Sequence, residues 1–281
     1  MSAASLTWGG RSIPGPDGLP AVVVSLTGPS LAHALAQARS AIDAGADVLE
    51  LRVDLLEEAG VLTGCAPMDA AAAPVLECLR EVGEAADGAA PVLLTCRTAA
   101  EGGRARLDDA SYGALLRSVL DRLADWVPER RPAAIDVEVQ RGCLKWVCEQ
   151  AHGLGIDVVA SFHDFEATPA DDLLEEVLAR MASEGADLAK IAVWPSSADD
   201  VARLLGVCAR ATAGTGERAG VGVPVAAMSM GALGAVSRVA PAFGSALTFA
   251  VVPDEQGQAR ASAPGQLPLQ DVRRCLELLR A

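Results

Sequence analysis

The chain has 281 residues, 51% of them hydrophobic, with a formal charge of −14, so it can bury a large core beneath an acidic surface. That balance argues against nucleic acid or an anionic membrane as a partner, since both need clustered Lys and Arg. The N-terminus lacks a basic segment followed by an apolar stretch, and no run is long enough to cross a bilayer, so neither a signal peptide nor a transmembrane helix is expected. Seven cysteines, an odd number without CxxC spacing, read as reduced thiols in a cytoplasmic protein. The three histidines, His33, His152 and His163, form no cluster with metal-ligand spacing, so no metal is expected.

In chain order, residues 6–13 read as a short hairpin with a Gly9-Gly10 turn, part of an N-terminal extension (1–20) that caps one end of the fold. From residue 21 onward, β-branched apolar runs fall at 21–26, 47–53, 91–96, 133–139, 156–162, 187–193, 223–230 and 245–251. Between them, apolar residues recur at three and four over 31–44, 110–123, 170–183, 199–211 and 269–279, and Lys145 stands at the start of a helix after the fourth strand. Strict alternation implies right-handed βαβ units and a parallel sheet. Eight such units make an α/β fold of the (β/α)8 TIM-barrel type, expected as a single domain over 1–281. No Gly-rich loop opens the first helix, which excludes a dinucleotide-binding fold. Gly220-Val-Gly222 leads into a strand and reads as a turn.

Lys190 is one of only two lysines, and it lies inside the apolar run 186–193. A buried ammonium loses hydration worth several kcal/mol unless it is paired or its pKa falls. A lysine of lowered pKa is the nucleophile that forms Schiff bases with ketones. The alternative is a strand-end lysine whose head reaches solvent.

Other chemistry-bearing side chains gather at the same strand ends, where barrels place catalytic groups. Period-two geometry puts Glu50, Arg52 and Asp54 on one face of the second strand. The third strand ends at Arg97 and runs into Glu101-Gly-Gly103; the fourth ends Asp136-Val-Glu138; the fifth ends Ser161-Phe-His163. The seventh ends Met228-Ser-Met230, and a helical stretch beyond it carries Ser237-Arg238. Taken singly, Glu50 with Arg52 could be a structural ion pair, His163 a helix cap, and the two methionines core. Together they describe a mouth for a small polyhydroxylated anion.

The segments Glu50-Leu-Arg52-Val-Asp54, Thr95-Cys-Arg97 with Glu101-Gly-Gly103, Ile135-Asp-Val-Glu138, Ser161-Phe-His163-Asp-Phe165 with Thr168-Pro169, Lys190-Ile-Ala192, Met228-Ser-Met-Gly231, Ser237-Arg238 and Ser262-Ala-Pro-Gly-Gln266 resemble the type I 3-dehydroquinate dehydratases, in that family's order. The resemblance implies a lyase of the shikimate pathway, leading to chorismate and the aromatic amino acids, that dehydrates 3-dehydroquinate to 3-dehydroshikimate without cofactor or metal. It implies an imine on Lys190, proton transfer by His163 and orientation of His163 by Glu101. It assigns the substrate carboxylate to Arg238 and Gln266, the ring hydroxyls to Glu50, Arg52 and Arg97, and the walls to Met228, Met230 and Phe165. Ser262 would close over the ligand within a mobile lid loop, 252–267, and the family suggests a homodimer. Ala232 stands where the family pattern suggests a polar or basic residue.

Two other readings stay open at this level. A class I aldolase acting on a sugar phosphate would need a Gly-rich phosphate cradle after the last strands, where this chain has Ser262-Ala-Pro-Gly-Gln266. A catalytically silent homologue would be expected to have lost Lys190 or His163. A serine hydrolase is excluded because Ala227-Met-Ser229-Met-Gly231 lacks the first glycine of a nucleophile elbow.

Overall fold

The computed structural model describes residues 4–57, 68–213, 220–253 and 261–280. Gly9 and Gly10 both adopt positive φ, +53° and +78°, which lets a two-residue turn join β1 (Leu6–Trp8) to β2 (Arg11–Ile13) as an antiparallel hairpin. Eight strands follow in the predicted places: β3 (Ala21–Leu26), β4 (Val48–Arg52), β5 (Val92–Thr95), β6 (Ala134–Glu138), β7 (Asp157–Asp164), β8 (Leu188–Val193), β9 (Val225–Ser229) and β10 (Leu247–Val251). All pair in parallel, in the order β10-β3-β4-β5-β6-β7-β8-β9, and a short β11 (Leu267–Pro268) adds to the far side of β10. The curled sheet meets itself where Ala246 N–H donates to the Val225 carbonyl at 2.7 Å.

Outside the sheet lie α1 (Leu31–Asp43), α2 (Met68–Ala86), α3 (Asp109–Leu123), α4 (Leu144–Gly153), α5 (Asp171–Ser183), α6 (Ala198–Ala211) and α7 (Leu269–Leu278). Their starts follow local chemistry. Asp108 accepts from Ser111 N–H at 2.8 Å ahead of α3, and Ser197 with Asp200 forms a reciprocal capping box ahead of α6. Helix α2 escaped the periodicity reading because Pro74 sits within it, behind a run of alanines that carries little pattern. The helical stretch expected after the seventh barrel strand is two 3-10 turns, Ala235–Val239 and Pro241–Phe243.

Because strand side chains alternate, each barrel strand feeds two cores. Leu49, Leu51, Leu94, Ile135, Val137, Ala189 and Ile191 face the helices, whereas Val23, Val48, Leu93, Ala134, Val159, Leu188 and Leu247 fill the interior together with Trp8 and Ile13 of the hairpin. The Trp8 indole N–H donates to Asp157 Oδ2 at 2.8 Å, tying the plug to the start of β7. The interior is therefore apolar at the strand starts. Further along the same inward columns the residues turn polar: Ser25, Glu50, Thr95, Asp136, Ser161 and Lys190 are all buried.

Candidate active site

Lys190 points inward between Leu188 and Ala192 on β8, and only 5% of it is exposed. It does not reach solvent like a strand-end lysine. Its Nζ lies 3.2 Å from His163 Nε2 and 3.6 Å from Asp136 Oδ2, and 4.8 Å above the centre of the Phe249 ring. Strand β7 runs to Asp164, past the expected end at 162, and pairs His163 with Ala192. His163 therefore sits on a rigid strand rather than a loop.

Its other ring nitrogen, Nδ1, lies 2.8 Å from Glu101 Oε2, 62 positions earlier in the chain. The turn that delivers Glu101 needs its glycines. Gly102 is left-handed at φ +80°, and a Cβ there would stand 2.2 Å from the Phe165 ring, while one on Gly103 would stand 2.1 Å from the Arg97 carbonyl oxygen. Phe165 packs against this turn at the rim.

Burial sets the proton balance. It pulls His163 well below the ordinary imidazole value of 6.5, with Arg97, Lys190 and Arg52 adding to the effect. It pushes Glu101 up to about 8 against the pull of Arg97. It also lowers Lys190 from its usual 10.5, outweighing the opposing effect of Asp136. A neutral imidazole beside an ammonium of reduced basicity can exchange a proton with it over 3.2 Å. The depressed value makes a sign-definite prediction. The unfolded chain takes up a proton on this ring below 6.5 and the folded chain does not. Stability linked to His163 is thus fully present above pH 6.5 and is lost as the pH falls toward the depressed value. In an NMR titration the His163 ring, assigned with a His163→Gln variant, should have its midpoint below 6.5; a midpoint above that would refute the neutral imidazole.

The predicted binding side chains line the same cleft: Glu50, Arg52, Arg97, Phe165, Met228, Met230, Arg238, Ser262 and Gln266 surround Lys190, His163 and Glu101. Their partners divide them. Arg52 holds Asp54 through two 2.8 Å bonds, and Asp54 also accepts the backbone N–H of Arg97 and Arg104. Arg97 binds Asp136 at 2.7 Å, Ser161 at 2.8 Å and Glu138 at 3.2 Å, so much of its donor capacity is already committed inside the barrel. Glu50 accepts from Thr95 at 2.9 Å and from Ser25.

Arg238 differs from these. It is only 2% exposed, its Nε has no hydrogen-bond partner, and a single bond of 3.1 Å runs from its Nη2 to the Pro264 carbonyl. Burial lowers it to about 10, so it stays cationic at neutral pH. A buried guanidinium with an open edge is a site for a carboxylate.

Residues 254–260 of the expected lid lie outside the described residues. The part that follows them is already seated. Ser262 N–H donates to Gln266 Oε1 at 2.9 Å, Gln266 Nε2 donates to Ser262 Oγ at 2.8 Å, and Ser262 Oγ donates to Ser25 Oγ at 2.8 Å. Gly231 N–H donates to the Pro264 carbonyl at 3.1 Å, and Gly265 lets the chain pass where a Cβ would stand 2.2 Å from the Gly231 carbonyl oxygen. Ser262 and Gln266 thus bond to each other, and Ser262 also to Ser25 of β3.

Ser25, Asp136 and Phe249 belong to the site without a role having been assigned to them from sequence. Ser25 is a single hydroxyl in an apolar run, and Phe249 looks like core. Asp136 shares the inward face of β6 with Glu138, and that spacing was the available signal.

A parallel eight-stranded barrel that buries a primary amine against an imidazole at its mouth defines the class: a barrel enzyme built for imine chemistry. The family model described as type I 3-dehydroquinase matches residues 22–281. The 3-dehydroquinate dehydratase of Klebsiella pneumoniae is 36% identical over 267 residues, 94% of each chain. Among solved structures, 3-dehydroquinate dehydratase from Geobacillus kaustophilus superposes with a TM-score of 0.81 at 29% identity, covering 98% of this chain and 96% of that one. A type I enzyme from Clostridium difficile, solved with covalently modified comenic acid, gives a TM-score of 0.82 at 28% identity over 99% of both chains. The chain belongs to the type I 3-dehydroquinase family.

Proposed function

We propose that the protein dehydrates 3-dehydroquinate to 3-dehydroshikimate, a hydro-lyase step of the shikimate pathway, through an imine on Lys190. The observation that carries this reading is the contact chain from Glu101 through His163 to Lys190, at 2.8 and 3.2 Å, inside a buried cleft of a family member.

In this mechanism neutral Lys190 adds to the substrate ketone, and loss of one water with uptake of one proton, released again when the imine is hydrolysed, gives the protonated imine. That cation draws electrons from the adjacent C–H bond, and His163 removes the proton to leave an enamine. The enamine expels the β-hydroxyl, which leaves as water with the proton that His163 returns. Hydrolysis of the conjugated imine then restores Lys190, so that the net change is the loss of one water. Glu101 fixes the ring of His163. Arg238, with its open Nε edge, takes the substrate carboxylate, assisted by Gln266. Glu50, Arg52 and Arg97 hold the ring hydroxyls, Met228, Met230 and Phe165 form the walls, and Ser262 closes the rim within a lid that spans 252–267. The residues needed are side chains of this one chain, and no group of His, Cys, Asp or Glu that could hold a metal occurs among the described residues.

The whole chain is proposed to act as one domain, as a cytoplasmic homodimer. Sulfur chemistry supports the compartment, since no disulfide joins the described cysteines, and no helix among the described residues is long and apolar enough to cross a membrane. The homodimer rests on the family resemblance, and sedimentation equilibrium tests it.

The deciding assay follows the ultraviolet absorbance of the conjugated enone formed from 3-dehydroquinate; absence of that product with folded enzyme would overturn the assignment. A finer prediction concerns the rim. Gln266→Ala removes two hydrogen bonds that seat Ser262. A lost polar contact of about 1–2 kcal/mol should raise KM about 5- to 30-fold with kcat nearly unchanged. A change confined to kcat would contradict a binding role.

A further inference from the structure

Asp136 is held in an unusual way. Its Oδ1 accepts two short bonds, from Arg97 Nη2 and from Ser161 Oγ, both at 2.7 Å. Its Oδ2 is buried, has no hydrogen-bond partner, and lies 3.6 Å from Lys190 Nζ. A buried carboxylate oxygen left open costs free energy unless a later state fills it.

The other charges facing Lys190 do not offer such an oxygen. Glu50, on β4, has one oxygen bonded to Thr95 and the other to Ser25. Glu138 is bonded to Thr98, Arg97 and Arg141. Arg52 and Arg97 are cations, and His163 is the remaining titratable neighbour. Glu101 also has a buried oxygen without a partner, Oε1, but its Oε2 bonds His163 Nδ1, on the other side of that ring from Lys190.

Geometry then separates two jobs. The free ammonium has three N–H bonds and can face His163 and Asp136 at once. A protonated imine has a single N–H, directed in one plane. If that proton pointed to His163 Nε2, the lone pair required for C–H abstraction would be occupied. We propose that Asp136 is the counter-ion of the protonated Lys190 imine, taking its one N–H on Oδ2 so that His163 stays free to move the substrate proton. Asp136 is in this sense a positioning residue. Two short bonds on Oδ1 fix the direction of Oδ2, and the neighbouring cations Arg97 and Lys190 outweigh burial to keep the carboxyl ionised. The proposal rests on the imine reading above.

The test is Asp136→Asn, which keeps the shape and a hydrogen-bonding oxygen but removes the charge. KM should change by no more than a few-fold. kcat should fall by on the order of 10²-fold, the usual cost of losing one fixed group that stabilises developing charge. The basic limb of the kcat profile should move toward acid by about one to three pH units, because an opposite charge that close favours the protonated imine by that much. Ser161→Ala disturbs the same network but keeps the carboxylate, so it should leave the limb in place. A folded Asp136→Asn enzyme with an unmoved limb would overturn the counter-ion. Should that variant not fold, lysine labelled with 15N in the unaltered protein gives the answer, since only Lys145 and Lys190 carry the label. The imine nitrogen should stay protonated throughout the active pH range, and titration within that range would overturn the proposal. Absence of borohydride trapping at Lys190 in the unaltered enzyme would remove the imine itself, whereas trapping with an unmoved limb would remove only the role of Asp136.

Discussion

Lys190→Ala is expected to reduce turnover by about 10⁴-fold or more, equivalent to about 5 kcal/mol at 1.36 kcal/mol per decade. The reason is structural as well as chemical. Nζ is the one primary amine in the cleft, and Lys145, the other lysine, is an exposed residue in the first turn of α4. No neighbouring side chain can take over the attack on a ketone. With 3-dehydroquinate and borohydride, the unaltered enzyme should gain the mass of the reduced adduct on the peptide containing Lys190 and none on that containing Lys145. Lys145→Ala should leave kcat within a few-fold. Labelling at Lys145, or normal turnover by Lys190→Ala, would refute the mechanism.

His163→Ala should slow turnover by roughly 10²–10⁴-fold, the range for a general acid–base group, while sparing most of the substrate affinity. Arg238 and the seated Ser262–Gln266 pair make no hydrogen bond to the imidazole, so the carboxylate end of the site should survive its removal. Removal of the substrate proton and hydrolysis of the conjugated imine both follow imine formation and both depend on His163, whose Nε2 is 3.2 Å from Nζ. The variant should therefore accumulate covalent adduct, visible as a mass shift on the intact protein before any reductant is added. An unchanged rate would exclude His163 as the proton carrier. A large rise in KM with kcat retained would make it a binding group instead.

Much of the architecture was readable because a parallel barrel imposes regular patterns. Each strand is buried on both faces and appears as a continuous apolar run, and turn residues mark its limits. Helix α2 was hidden by Pro74 and its alanines, and the 3-10 turns after β9 passed for a helix because both share short-range apolar spacing. The continuation of β7 through Asp164 was not legible because its pairing with β8 depends on a neighbour rather than on local sequence.

The sequence by itself determined the eight strands, the placement of Lys190 in an apolar run, and the concentration of charge at strand ends, because periodicity and the cost of burying charge are local properties. Only the tertiary structure decided which charges meet. It spent Arg52 on Asp54 and much of Arg97 on the carboxylates of β6, brought Glu101 to His163 across 62 positions, left Arg238 with an open edge, and aimed the free oxygen of Asp136 at Lys190. Those pairings follow from closing the sheet into a barrel, which sets inward columns from different strands side by side, and no spacing along the chain encodes that distance.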